Sequence, residues 1–179
     1  MPNPLLDFSG LPRFAELKPA HVAPAIDTLL AEARAAVAHA ERARPAWDEF
    51  VTPLEDANER LGRAWGQVAH LHAVLDSPEL RTVYNENLPK VTQYWTELGQ
   101  NQALFEKYRA LRAAPDFDAL SPERRRIVEN ALRDFRLGGA ELPAERKPHY
   151  AQIQEELARL SAKFAENPII RTSGVTCSL

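Results

Sequence analysis

Five histidines, His21, His39, His70, His72 and His149, are the side chains in this sequence best suited to hold a metal or move a proton near neutral pH. Spacing decides what they can do. Two histidines on a helix share one zinc ion when they stand four residues apart, as in H-E-x-x-H, because that separation puts both rings on one face. His70 and His72 are two apart, so their side chains diverge by ~200° around a helix and point to different surfaces. His149, followed by Tyr150 near a helix start, reads as a solvated histidine. Nucleophilic chemistry finds no better footing. The one cysteine, Cys177, lies close to the end of the chain, no G-x-S-x-G turn occurs, and no phosphate-loop lysine follows Gly138 and Gly139. Carboxylates are numerous, but on helical surfaces they mostly solvate, and acid–base work needs a buried pair. Arg124, Arg125 and Arg126 form the one basic cluster. With Glu123, Glu129 and Asp134 beside them they read as an ion-paired solvated face. Trp47, Trp65 and Trp95 could line a groove, yet Trp65 and Trp95 fall on or beside apolar stripes and read as core. The residues therefore assign no catalytic, cofactor-binding or metal position, and leave substrate-contacting positions unknown.

The elements that would carry such groups are helices. The chain has 179 residues, 45% hydrophobic and 26% charged, rich in Ala, Leu, Glu and Arg and poor in period-two alternation. That composition gives an all-α, irregular array of antiparallel helices without significant sheet. A chain of this size buries roughly 70% of its unfolded surface and folds without disulfides or metal. A net charge of −3 speaks against polyanions, so no nucleic acid is expected. No run approaches the roughly 18 apolar residues of a membrane span, no basic start precedes an apolar run, and a single thiol requires no oxidising compartment. The reading is cytoplasmic.

Residues 1–18, with Pro2, Pro4 and Pro12 among isolated apolar side chains, read as an extended arm ordered by docking. A first helix spans Pro19 to Arg42, with Val22, Ile26, Leu29, Leu30 and Val37 on one face. Thr52 is expected to cap a second helix with Pro53 at its first position. Its stripe of Leu54, Ala57, Leu61, Ala64, Val68, Leu71 and Leu75 alternates spacings of three and four. After a break at Asp76, Ser77 and Pro78 repeat the start signal, and the third helix folds back on the second. Its stripe continues from Leu80 to Phe105, Tyr108 and Leu111, with a kink expected ahead of Pro89. Ser121 and Pro122 open a fourth helix that stops at Gly138 and Gly139. Pro143 opens a fifth, with Tyr150, Ile153, Leu157, Leu160 and Phe164 as its stripe. Pro168 is expected to end that helix at Asn167.

Several phrases in order resemble one family. Asn3-Pro4-Leu5-Leu6-Asp7-Phe8 is followed by Pro53 to Leu61 (P-L-E-D-A-N-E-R-L), Ser77-Pro78-Glu79-Leu80-Arg81 and Leu120-Ser121-Pro122-Glu123-Arg124. Ile127 to Phe135 (I-V-E-N-A-L-R-D-F) comes next, then Glu155-Glu156-Leu157 through Phe164-Ala165-Glu166-Asn167. Each is common helix text, but the ordered series over residues 3–167 resembles the amino-terminal helical region of the oligopeptidase A and thimet oligopeptidase family of zinc metallopeptidases. The resemblance implies an almost wholly helical, cytoplasmic endopeptidase that cleaves short peptides in a deep channel, with the amino-terminal helices forming part of its wall. It also implies a zinc held by the two histidines of H-E-x-x-H and a later glutamate, all downstream of the matched text. This sequence has no H-E-x-x-H, so no catalytic or metal residue carries over, and no cofactor is expected in this chain.

The expected organisation is an oligopeptidase-like domain over 1–167 and an aberrant, disordered tail over 168–179, where Pro168-Ile169-Ile170-Arg171 replaces the family's helix. On this reading the chain is a truncated channel-wall domain, inactive alone, whose partners are the missing catalytic half or other copies met through exposed apolar surface. The alternative is a stand-alone helical module that binds peptides or proteins.

Overall fold

Local capping chemistry sets most boundaries in the computed structural model, which describes residues 3–75 and 77–173, with side chains as far as Glu166. Helix α1 spans Pro19–Arg42. The Lys18 amide donates to His21 Nδ1 at 3.1 Å, so His21 serves as a cap. A π-helical turn, Trp47–Val51, then runs directly into α2, Thr52–Val74. This corrects the expected cap at Thr52. Val51 before it is already helical, and the Thr52 hydroxyl donates to the Trp47 carbonyl at 3.5 Å instead of accepting from the next turn.

Helix α3, Pro78–Gly99, starts as its sequence indicates, with Ser77 Oγ accepting from the Leu80 amide at 3.2 Å. The break at Asp76 lies outside the described residues. α3 continues through Pro89 and ends at Gly99. Asn101 Oδ1 then accepts from the Leu104 amide at 3.0 Å and opens α4, Gln102–Arg112. The stripe expected to run unbroken to Leu111 is thus two helices, divided by an asparagine cap. Ser121 Oγ accepts from Arg124 to begin α5, Pro122–Gly138, and Gly139 closes it at φ 91°, with the Ala140 amide bonded to the Phe135 carbonyl at 2.9 Å. α6, Lys147–Ser173, starts later than expected because Pro143 to Arg146 form a turn. It also continues through Pro168, which corrects the expected stop at Asn167. A proline inside a helix forfeits one amide bond at about 3 kcal/mol, a cost the flanking helical turns carry here as they do at Pro89 of α3. Residues 174–179, with Cys177, lie outside the described residues.

The described residues form helices and turns only, so the chain is all-α. α1 contributes to two cores. Its first half packs Val22, Ile26 and Leu29 with Leu5 of the arm, Leu61 and Val68 of α2, and Tyr94 of α3. Its end meets Phe50 and Val51 of the π-helical turn, Leu104, Phe105 and Tyr108 of α4, and Phe135 of α5. In the arm Leu5 is fully buried and Asn3 Nδ2 donates to the His21 carbonyl at 2.8 Å, and two 3-10 turns, Pro4–Leu6 and Phe14–Glu16, interrupt its course. α3 and α5 cross where Gly99 meets Gly138. A Cβ on Gly138 would fall 2.9 Å from both Cα and O of Gly99. Gly138 is therefore present for close backbone approach, and Gly139 alone supplies the left-handed stop. None of the described helices is long and apolar enough to cross a membrane.

Candidate functional site

The fold separates the histidines. His21 caps α1, and His39 Nε2 lies 3.1 Å from the Glu49 carbonyl, joining the end of α1 to the π-helical turn. His70 is exposed and packs against Phe14 at 5.2 Å, whereas His72 is buried and stacks on Tyr84 at 4.1 Å. Trp65 also stacks on Tyr84, at 4.9 Å, so Tyr84 of α3 pairs with two rings of α2. His72 Nε2 has no hydrogen-bond partner, and Glu166 Oε1 of α6 stands 3.9 Å away. Among the described residues no group of three or more His, Cys, Asp or Glu could hold a metal ion.

The arginine cluster is ion-paired, but of the three acids expected to pair with it only Glu129 does, and the other two partners come from outside α5. Arg124 reaches Asp48 at 3.9 Å and lies over the Trp47 ring, Arg125 reaches Asp118 at 3.7 Å, and Arg126 reaches Glu129 at 3.8 Å. Trp65 is half-buried against the first core, but Trp95 departs from its core reading. It is 38% exposed and packs edge-on to Tyr94 at 5.1 Å.

Trp95 instead borders a cleft of about 540 Å³ between α2, α3, α4 and α5. Leu54, Leu98 and Phe135 give it apolar walls, while Glu55, Glu59 and Asp134 give it an acidic rim. Tyr108 donates its hydroxyl to Glu55 Oε1 at 3.2 Å, and Tyr94 donates to Asn58 Oδ1 at 2.5 Å. Burial raises the Tyr94 pKa to about 12, so it stays a neutral donor. Glu55 shows a solvent-exposed face, yet burial of its carboxyl is the largest influence and raises its pKa; the Tyr108 bond opposes this and Asp56 adds to it. A raised carboxylate pKa means that folding favours the protonated form. Its stabilising contribution is present below the unfolded value near 4.5 and is lost as pH rises through the folded value. Glu55→Gln is therefore expected to raise the urea midpoint at pH 7 and to leave it unchanged at pH 3. A lower midpoint at pH 7 would contradict that sign. Nothing in the sequence signalled this cleft, because its lining comes from four helices that only the folded chain brings together.

The most prominent surface lies on α6. Its inner side, Ala151, Gln154, Ala158 and Ala162, is half-buried, and α6 packs along α3. Small side chains allow that approach, and the large ones face outward. Ile153, Leu157, Leu160 and Phe164 are 45%, 53%, 47% and 74% exposed. The stripe was legible, but its orientation was not.

A family described as TOP_N, "Neurolysin/Thimet oligopeptidase, N-terminal domain", matches residues 26–147, well over half of the chain. The chain belongs to this family. Within the neurolysin/thimet oligopeptidase family it is 37% identical to oligopeptidase A of Haemophilus influenzae over 175 residues, which is 97% of this chain and 26% of that protein. It is 39% identical over 178 residues to oligopeptidase A of Salmonella typhimurium, covering 98% of this chain and 26% of the relative. A probable cytosolic oligopeptidase A of Arabidopsis thaliana is 36% identical over 171 residues, 95% of this chain and 24% of that protein. The chain thus spans about a quarter of the length of these curated relatives. The family match closes at the first residue of α6, while the alignments to whole relatives carry the likeness along that helix.

Proposed function

We propose that this chain forms part of the wall of the peptide channel in a cytoplasmic, zinc-dependent oligopeptidase, and that hydrolysis depends on the three quarters of the relatives' length beyond the matched part. The observation that carries this reading is the coverage. A match over nearly all of this chain and only a quarter of each oligopeptidase A leaves the family's H-E-x-x-H in sequence this chain does not contain. The scattering of the histidines agrees, since His70 and His72 look toward different surroundings and metal-activated water requires convergent ligands. In this role the helices act by shape. α1 to α5 share two apolar cores, and the substrates expected for the whole enzyme are short peptides.

The purified chain is expected to retain no stoichiometric zinc after dialysis and to leave quenched fluorescent peptides uncut. Elemental analysis beside the fluorescence assay makes the check. One tightly held zinc per chain with chelator-sensitive cleavage would sink the proposal in favour of a separate metalloenzyme.

A further inference from the structure

The cleft between α2, α3, α4 and α5 holds negative charge that the chain itself leaves uncompensated. Glu55 and Glu59 stand four residues apart on α2, so both lie on the helix face that borders the cleft, and like charges at that spacing repel. Neither has an ion-pair partner among the described residues. Tyr108, itself buried, donates to Glu55 Oε1 at 3.2 Å, and Oε2 takes no bond from the described residues. The third acid, Asp134, is already held by Arg133 at 2.8 Å.

The walls add a second requirement. Leu54, Leu98 and Phe135 are apolar, Trp95 at the border is 38% exposed, and a volume of about 540 Å³ lies in the range of small-ligand sites. An anion would be repelled here. A neutral apolar ligand would take water from the carboxylates and return nothing, while a hydrated inorganic cation would gain nothing from the walls. An ammonium or guanidinium on an apolar body meets both demands, because it pairs with the carboxylates and aromatic rings attract cations as well. Burial already raises the Glu55 pKa, and a counter-charge in the cleft offsets that cost.

We infer that this cleft binds a small organic cation, with its charged group at Glu55 and Glu59 and its apolar body against Leu98, Phe135 and Trp95. The site does not rest on the proposed channel-wall role, and the zinc and peptide-cleavage assays are indifferent to it.

Isothermal titration calorimetry of the full chain with phenethylamine at low salt is expected to give a Kd on the order of 1 mM or tighter. Phenethyl alcohol, of the same size without the charge, is expected to bind about 10-fold more weakly or worse. Glu55→Gln combined with Glu59→Gln is expected to weaken phenethylamine by about 10-fold or more, with helical circular dichroism intact. Glu86→Gln removes an exposed acid of α3 outside the cleft and is expected to leave binding unchanged. The lysine derivative N-acetyl-lysine amide distinguishes the source of the cation: if it binds more tightly than phenethylamine the ligand is a peptide's basic side chain, and if more weakly a free amine. No binding of either up to about 10 mM would overturn the inference. So would equal binding of phenethyl alcohol, a comparison made on the unmodified chain, or a folded double variant that binds as well as the original.

Discussion

Alanine at Gly138 is expected to destabilise the fold by about 2 kcal/mol, although alanine is ordinarily the better helix former by about 1 kcal/mol. The new Cβ would meet the Gly99 Cα and O at 2.9 Å and its C at 3.1 Å, and all three are backbone atoms that no rotamer change can move aside. α3 and α5 would have to spread, and with them the walls of the cleft. Gly99→Ala is the matched control. Its Cβ would stand 3.4 Å from Gly138 Cα, an ordinary contact, so its effect should stay within about 0.5 kcal/mol. Urea unfolding followed by circular dichroism measures both. Equal losses would mean that the crossing is looser than this geometry.

The second large effect belongs to Phe50. It is fully buried, meets Tyr108 edge-on at 5.0 Å, and through Tyr108 connects to Phe135 at 5.6 Å. Phe50→Ala is expected to cost about 3–5 kcal/mol, the range for an aromatic truncated in a core that relaxes only in part. Leu11→Ala, at a side chain 90% exposed, is expected to change stability by less than about 0.5 kcal/mol. Were the Phe50 loss as small as that at Leu11, the second core would not be the cooperative unit that joins the π-helical turn to α4 and α5.

Helix boundaries were legible in the sequence where their cause is local. Ser77 and Ser121 cap their helices through their own hydroxyls, and the following prolines need no amide partner, so two consecutive residues carry the signal at each start. α1 runs from Pro19 to Arg42 as read. The reading at Thr52 failed because the preceding chain enters α2 already helical, held by Phe50 and Val51 in a core that only the folded chain assembles. The start of α4 was visible in principle: Asn101 follows Gly99 and Gln100, but an apolar period that continues in phase across the break conceals it. At α6 the period was legible, but it left open which side would pack. Periodicity locates a stripe; which side packs depends on the neighbour, and α3 accepts the alanine side. Chemistry followed the same division. The missing zinc motif was readable from spacing alone, whereas the His72 stack and the Glu55–Tyr108 bond each join separate helices and have no local signature.

The proposed channel-wall role requires a catalytic part that this sequence does not contain. The most direct measurement joins the two. A chimera in which this chain replaces the matched quarter of Haemophilus influenzae oligopeptidase A should bind zinc and cleave a short quenched peptide, while the same relative without that quarter should lose cleavage. A chimera that folds and loads zinc yet leaves the peptide intact, beside an unmodified relative that cuts it, would contradict the account and favour a stand-alone helical binding module.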